Sequence, residues 1–140
     1  MFKTYYQRRF KEILLSPLQS SDGLGENTVR ARLKKRGLTL PRALAEYYSL
    51  AGKHSINVDH NRLRPIDQLE WIDDTLVLME ENQCVSFWGI QRKDIKKANP
   101  KVWQGVNSEP IRWFVEVYRV SQFLMAMWKW TVTGEEETPE

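Results

Sequence analysis

The sequence predicts an α+β fold, a mostly antiparallel, curved sheet of about four to six strands with N-terminal helices and a C-terminal helix packed around it. Three observations carry this. Apolar residues recur at helical spacing up to Ala51, short β-rich runs bounded by turn residues occupy 75–117, and helical spacing returns after Ser121. A chain of 140 residues can bury one core without disulfide or metal support. Its 41% hydrophobic and 28% charged content, with six tryptophans, is that of a globular protein and not of a disordered one.

Phe2, Tyr6, Phe10, Ile13 and Leu14 share one helical face, so residues 2–15 read as a helix that stops at Ser16-Pro17, because proline disfavours helical backbone before it. Residues 16–27 hold Ser20, Ser21, Asp22, Gly23 and Gly25 and read as a flexible loop. Asn27 is the expected N-cap of a short helix over 28–36, with Val29 and Leu33 on its apolar side and Gly37 at its end. Pro41 suits the first turn of the next helix, whose stripe is Leu44, Tyr47, Tyr48 and Ala51. Residues 56–63 read as extended, and 66–72 fits a short helix or a strand. Residues 75–79 and 84–88 flank Glu80-Glu81-Asn82-Gln83 as two strands of a hairpin would. A turn at Ala98-Asn99-Pro100 precedes a short run over 101–103. A further strand is expected over 113–117, and Ser121 is the expected cap of a last helix with Phe123, Leu124, Met127 and Trp128 on its buried side.

Charge is unevenly placed. The net +3 divides into +8 for residues 1–64, from 13 Lys and Arg against 5 Asp and Glu, and −5 for residues 65–140, from 8 against 13. The basic excess peaks at Arg30, Arg32, Lys34, Lys35 and Arg36; the acidic excess peaks at Glu70–Asp74, at Glu80-Glu81 and in the tail with Glu135, Glu136, Glu137 and Glu140. Two such poles can steer a charged partner, whereas isolated surface charges do little.

Several chemistries lack their residues. Cys84, His54 and His60 are the only soft metal ligands and none has zinc-site spacing with another, so no metal or cofactor is expected. Cys84 opens an apolar strand and is expected to act as a small buried hydrophobe; a lone cysteine also fits a reducing, cytoplasmic setting. No apolar run reaches the roughly 18 residues of a membrane span, and Met1–Phe10, with Lys3, Arg8 and Arg9, does not read as a secretory leader. The pairs Asp73-Asp74 and Glu80-Glu81 hold general acid–base groups, yet adjacent side chains on extended backbone point to opposite faces, and turn chemistry accounts for both. Trp88 and Trp128 fall on apolar faces. Trp130 is turned away from Trp128 on the same helix and suits the rim of a protein-binding groove.

Four motifs occur in order. LPRALAEYYSLAG over 40–52, LVLMEENQ over 76–83 followed by VSFWGI over 85–90, NPKV over 99–102 and SQFL over 121–124 together resemble the pattern of the SUKH superfamily, in its bacterial immunity-protein-like branch. Asn99 stands where the family carries Asp. The resemblance divides the chain into an N-terminal helical extension (1–39), a SUKH-like domain (40–133) and an acidic disordered tail (134–140). It implies a non-enzymatic protein-binding module, an immunity or adaptor protein that neutralises or regulates a single protein partner such as a toxin. The surfaces singled out for that partner are Asp73, Asp74, Glu80, Glu81 and Trp130. The alternative is an accessory nucleic-acid-binding module using the basic helix over 28–36, with Arg30, Arg32, Lys34, Lys35 and Arg36 as its phosphate contacts. Residues 1–39 are open to two arrangements, packing on the domain or wrapping a partner.

Overall fold

A computed structural model describes residues 1–138. Three helices come first: α1 (Lys3–Leu14), α2 (Glu26–Arg36) and α3 (Arg42–Ala51). Six strands follow, β1 (Arg62–Leu63), β2 (Glu70–Ile72), β3 (Thr75–Glu80), β4 (Ser86–Gln91), β5 (Lys101–Val106) and β6 (Arg112–Arg119), and α4 (Val120–Thr133) closes the chain. All pairings are antiparallel. The sheet runs β1-β3-β4-β5-β6, with β2 pairing β3 on the edge that also holds β1. This is the α+β arrangement that the residue pattern predicts, with an open sheet rather than a closed barrel.

Alternation splits the sheet into two faces. Leu76, Trp88, Ile90 and Val102 join Tyr6, Phe10, Leu44, Tyr47, Phe123 and Trp128 in one core beneath the helices. Tyr6 and Phe10 of α1 are fully buried there, so of the two arrangements open to residues 1–39, α1 packs on the domain. The opposite face carries Val77, Phe87, Trp103 and Trp113, with two glycines at points of close approach. The Gly89 Cα faces the backbone so closely that a Cβ would lie 2.3 Å from the Leu76 carbonyl oxygen, and a Cβ on Gly105 would lie 2.7 Å from both the Phe87 and the Trp113 rings. The Phe87 and Trp113 rings meet edge-on at 5.4 Å across that gap.

Several boundaries differ from the expectation, each for a local reason. Asn27 is not the cap of α2. The helix starts at Glu26, because Gly25 takes φ +83° and the N–H groups of Leu24 and Gly25 donate to the carbonyls of Tyr48 and Ser49 at the end of α3. The segment 16–27 thus holds a 3-10 turn (Ser20–Asp22) and is bonded to α3; Lys53 N–H also donates to Asp22 O. Residues 56–63 are not continuously extended: Ser55–Val58 is a 3-10 turn and only Arg62–Leu63 pairs. The ambiguous run splits into a 3-10 turn (Ile66–Gln68) and β2. Cys84 is not buried in a strand. It is exposed, at φ +59° in the turn between β3 and β4, and β4 begins two residues later. Ser121 does not cap α4 with its own side chain. The helix begins at Val120, and Asn99 supplies the cap: its Oδ1 accepts from Ser121 N–H at 3.0 Å while its Nδ2 donates to Ser121 Oγ at 2.9 Å. Of the acidic tail, residues 139–140 lie outside the described residues.

Inside the core the aromatic hydroxyls are all bonded. Trp128 Nε1–H donates to Tyr47 Oη at 2.8 Å, Tyr47 O–H donates to Asn57 Oδ1 at 2.6 Å, and Asn57 Nδ2 donates to Ala51 O at 2.7 Å. Tyr6 O–H donates to Ala43 O at 2.7 Å, and Tyr48 O–H donates to Arg64 O. Burial raises the pKa of all three phenols, which therefore stay protonated and able to donate. Removing the Tyr47 hydroxyl would strand the Trp128 N–H and the Asn57 carbonyl in the core, at about 1–3 kcal/mol each. Tyr47→Phe is expected to lower the urea unfolding free energy by about 2–4 kcal/mol with little change in the m-value. Gly89→Ala, which must displace the β3 backbone, is expected to cost about 3 kcal/mol, the upper end for overpacking, in the same measurement.

Candidate functional site

α4 lies against the sheet with Phe123, Leu124 and Trp128 buried. Trp130 is about 200° further round the helix than Trp128 and remains 42% exposed. It stands at the mouth of a cleft of about 380 Å³ between α4, β4 and β6. Trp88, Phe123, Met127 and Trp130 supply apolar wall; Glu116 and Glu136 supply carboxylates at its edge.

The walls are held by specific bonds. Trp88 packs its ring on Phe123 at 5.7 Å and donates its Nε1–H to Glu116 Oε1 at 3.3 Å, which fixes that carboxylate beside the apolar floor. The buried Asn61 donates from Nδ2 to Met127 Sδ at 3.1 Å and accepts from Asn82 N–H at 3.1 Å, tying α4 to the β3–β4 turn. His60 packs against Trp130 with ring centres 5.2 Å apart. Glu137 is engaged by Arg9 and, at 3.8 Å, by Lys129, which leaves Glu116 and Glu136 as the available acids. Burial first, then Glu137, Glu136 and Glu116, raise the pKa of the Tyr118 hydroxyl in the cleft wall.

The other residues singled out by the sequence are only partly brought together. Glu80 ends β3 and bonds Arg64 at 3.1 Å, while Arg64 also holds Glu70 at 3.0 Å. Glu81 follows in the exposed turn that Asn61 links to α4, and its side chain accepts from Gln83 N–H. Asp73 and Asp74 sit at the opposite end of β3, about 20 Å away at strand rise. They form the two-residue β2–β3 turn with φ of +48° and +63°, the left-handed pair that such a hairpin needs. Asp74 bonds Arg92 at 3.0 Å and Asp73 accepts from Trp113 Nε1 at 3.4 Å. The two carboxylate pairs are therefore separate features.

The basic helix is also divided. Arg36 is exposed like the others, but its guanidinium donates to the carbonyls of Ile66 and Leu69 at 2.8 and 2.6 Å, clamping the 3-10 turn before β2. Arg30 bonds Asn27 at 3.2 Å and reaches Glu26 at 3.8 Å. Arg30, Arg32, Lys34 and Lys35 are exposed, but at about 100° per residue they spread over roughly 200° of the helix surface and do not form one stripe.

Glu116 and Asn61 were not singled out by sequence reasoning, and His60 was weighed there only as a metal ligand, not as a ring packed against Trp130. Glu116 did leave a trace, as one acid inside the alternating run 112–119. Asn61 and His60 left none, since their roles come from chain segments that meet only on folding. Among the described residues, no group of three or more His, Cys, Asp or Glu is placed to hold a metal ion, and no helix is long and apolar enough to cross a membrane. Set against models of protein families, curated proteins and solved structures, the chain has no match in any of the three.

The division of the basic helix has a measurable consequence. Arg36→Met is expected to lower stability by about 1–3 kcal/mol, because two carbonyls lose a charged donor. Arg32→Met should leave thermal and urea unfolding within about 0.5 kcal/mol of the parent.

Proposed function

We propose that this chain is a protein-binding module without chemistry of its own, of the immunity or adaptor kind, and that it seats one protein partner on the Trp130 cleft. The observation that carries the reading is a half-exposed tryptophan beside a preformed apolar wall with carboxylates at its rim. Covering the 42% of Trp130 that remains exposed would remove roughly 100 Å² from water, about 2.5 kcal/mol at the usual coefficient. An exposed ion pair contributes only about 0–1 kcal/mol. Trp130 is thus the anchor, and Glu116 and Glu136 select for a partner segment carrying a basic residue next to apolar ones. The resemblance to SUKH immunity proteins supports the same class of role, with a toxin as one kind of partner. The acidic half of a chain that is basic overall supplies the contact, in keeping with its uneven charge.

The reading is tested by capturing the partner from nuclease-treated lysate of the native cell and washing at low and then high salt. One protein retained at near-equal stoichiometry is the expected result. Trp130→Ala should weaken that complex at least tenfold while shifting unfolding by no more than about 1 kcal/mol. Replacing Arg30, Arg32, Lys34 and Lys35 with Gln should leave it unchanged. Loss of all binding on nuclease or salt treatment would instead move the function to the basic helix and nucleic acid, because phosphate-driven affinity falls steeply with salt.

A further inference from the structure

Among the described residues β6 is the last strand of the sheet and pairs on one side only, with β5. Its outer edge offers backbone donors and acceptors to another chain, and its centre carries three large exposed apolar side chains, Phe114 at 52%, Val115 at 54% and Val117 at 58%. Edge strands in soluble proteins are commonly blunted by lysine, by proline or by a covering segment. Arg112–Arg119 has neither lysine nor proline within it, and Arg112–Val115 pairs regularly with β5, the register shift lying between Val115 and Arg119.

Symmetry restricts what can pair there. Two copies joined antiparallel across this edge are related by an axis normal to the sheet, so their helices lie on the same side. Opposed residues must then come from the same face of β6, because directly paired side chains project together. Arg112, Phe114 and Glu116 share the helix-side face: Arg112 pairs with Val106 and Phe114 with Gln104, in register with Ser86 and Trp88, and Glu116 bonds Trp88. Among the symmetric registers, the one centred on Phe114 sets Arg112 of each copy opposite Glu116 of the other. It sets Trp113 opposite Val115 on the other face, and Phe114 opposite itself. A shift of two residues one way places Trp113 opposite itself and Arg112 opposite Phe114. The other way places Glu116 opposite Phe114, and one step further sets Glu116 against its own copy, which is repulsive.

We propose that β6 pairs antiparallel with β6 of a second copy of this chain, centred on Phe114, to give a homodimer with one continuous sheet across the interface. The occupant is a second copy because the charges of this one strand complement themselves and because the exposed Phe114 and Val115 are the residues that this register covers. Glu116 also lines the Trp130 cleft, so Arg112 of the second copy enters at the rim of each cleft, and the two clefts open on the same side of the dimer. Dimerisation thus engages Glu116 and leaves Glu136 as the rim carboxylate for whatever the cleft binds.

Sedimentation of the full chain over a micromolar concentration series is expected to show conversion from the 16.6 kDa monomer to twice that mass. Glu116→Arg and Arg112→Glu should each shift the midpoint at least tenfold towards monomer, and the double exchange should restore it. In a Cys84→Ser background, Phe114→Cys should form an intermolecular disulfide under mild oxidation, since opposed Cα atoms lie about 4.5–5.5 Å apart, within disulfide range. Val117→Cys should not, because the two copies of that position are about 20 Å apart in this register. A chain that stays monomeric throughout the series overturns the proposal. So does a dimer indifferent to both charge reversals, or one that cross-links through position 117 and not 114.

Discussion

Tyr47, Trp128 and Asn57 are buried together where α3, α4 and the turn after α3 meet, and three polar side chains in such a place are tolerable only if each finds a partner. They find one another: indole to phenol, phenol to amide, amide to the Ala51 carbonyl. The chain of bonds is directional, so it locks the rotation of α4 about its own axis as well as its position. That rotation places Phe123 and Met127 against the sheet and carries Trp130 out to the cleft mouth. A purely aliphatic contact would hold α4 nearly as strongly but would specify its rotation less sharply, because dispersion and burial are not directional.

The sheet contributes the second constraint. Gly105 leaves room for aromatic rings on the face away from the helices, and Phe87 and Trp113, packed edge-on, fill the space that a side chain there would otherwise occupy. One face of the sheet is thus covered by helices and the other by its own aromatic residues, and the Asp73 carboxylate reaches Trp113 from the β2–β3 turn. β6, at the end of this arrangement, has both faces partly furnished and one edge open.

Charge on this molecule sorts by what surrounds it rather than by sequence density. Arg36, at the end of the densest basic run, holds two carbonyls of a neighbouring turn, and Glu80 is held by Arg64. Glu116, alone among apolar neighbours in sequence, is one of the carboxylates left beside an apolar cleft. A count of nearby charges overstates the first two and misses the third.

Local pattern alone determined the elements whose signal lies within a few residues: the helical face from Phe2 to Leu14, the helix after Pro41, the hairpin around residues 80–83 and the outward turn of Trp130 relative to Trp128. These follow from backbone periodicity, from proline and glycine stereochemistry and from the 100° step of a helix, all of which act within one or two turns. Boundaries set by distant partners were not legible there. α2 starts early because Gly25 bonds the end of α3, α4 is capped by Asn99 from before β5, and Cys84 is exposed because the turn takes it at positive φ. The cleft itself joins Asn61, Trp88, Glu116 and Trp130 from four separate segments. Only packing of α4 on the sheet brings them within reach of one another, since contacts between residues tens of positions apart are decided by burial and hydrogen bonding in the assembled core and not by any run of neighbours along the chain.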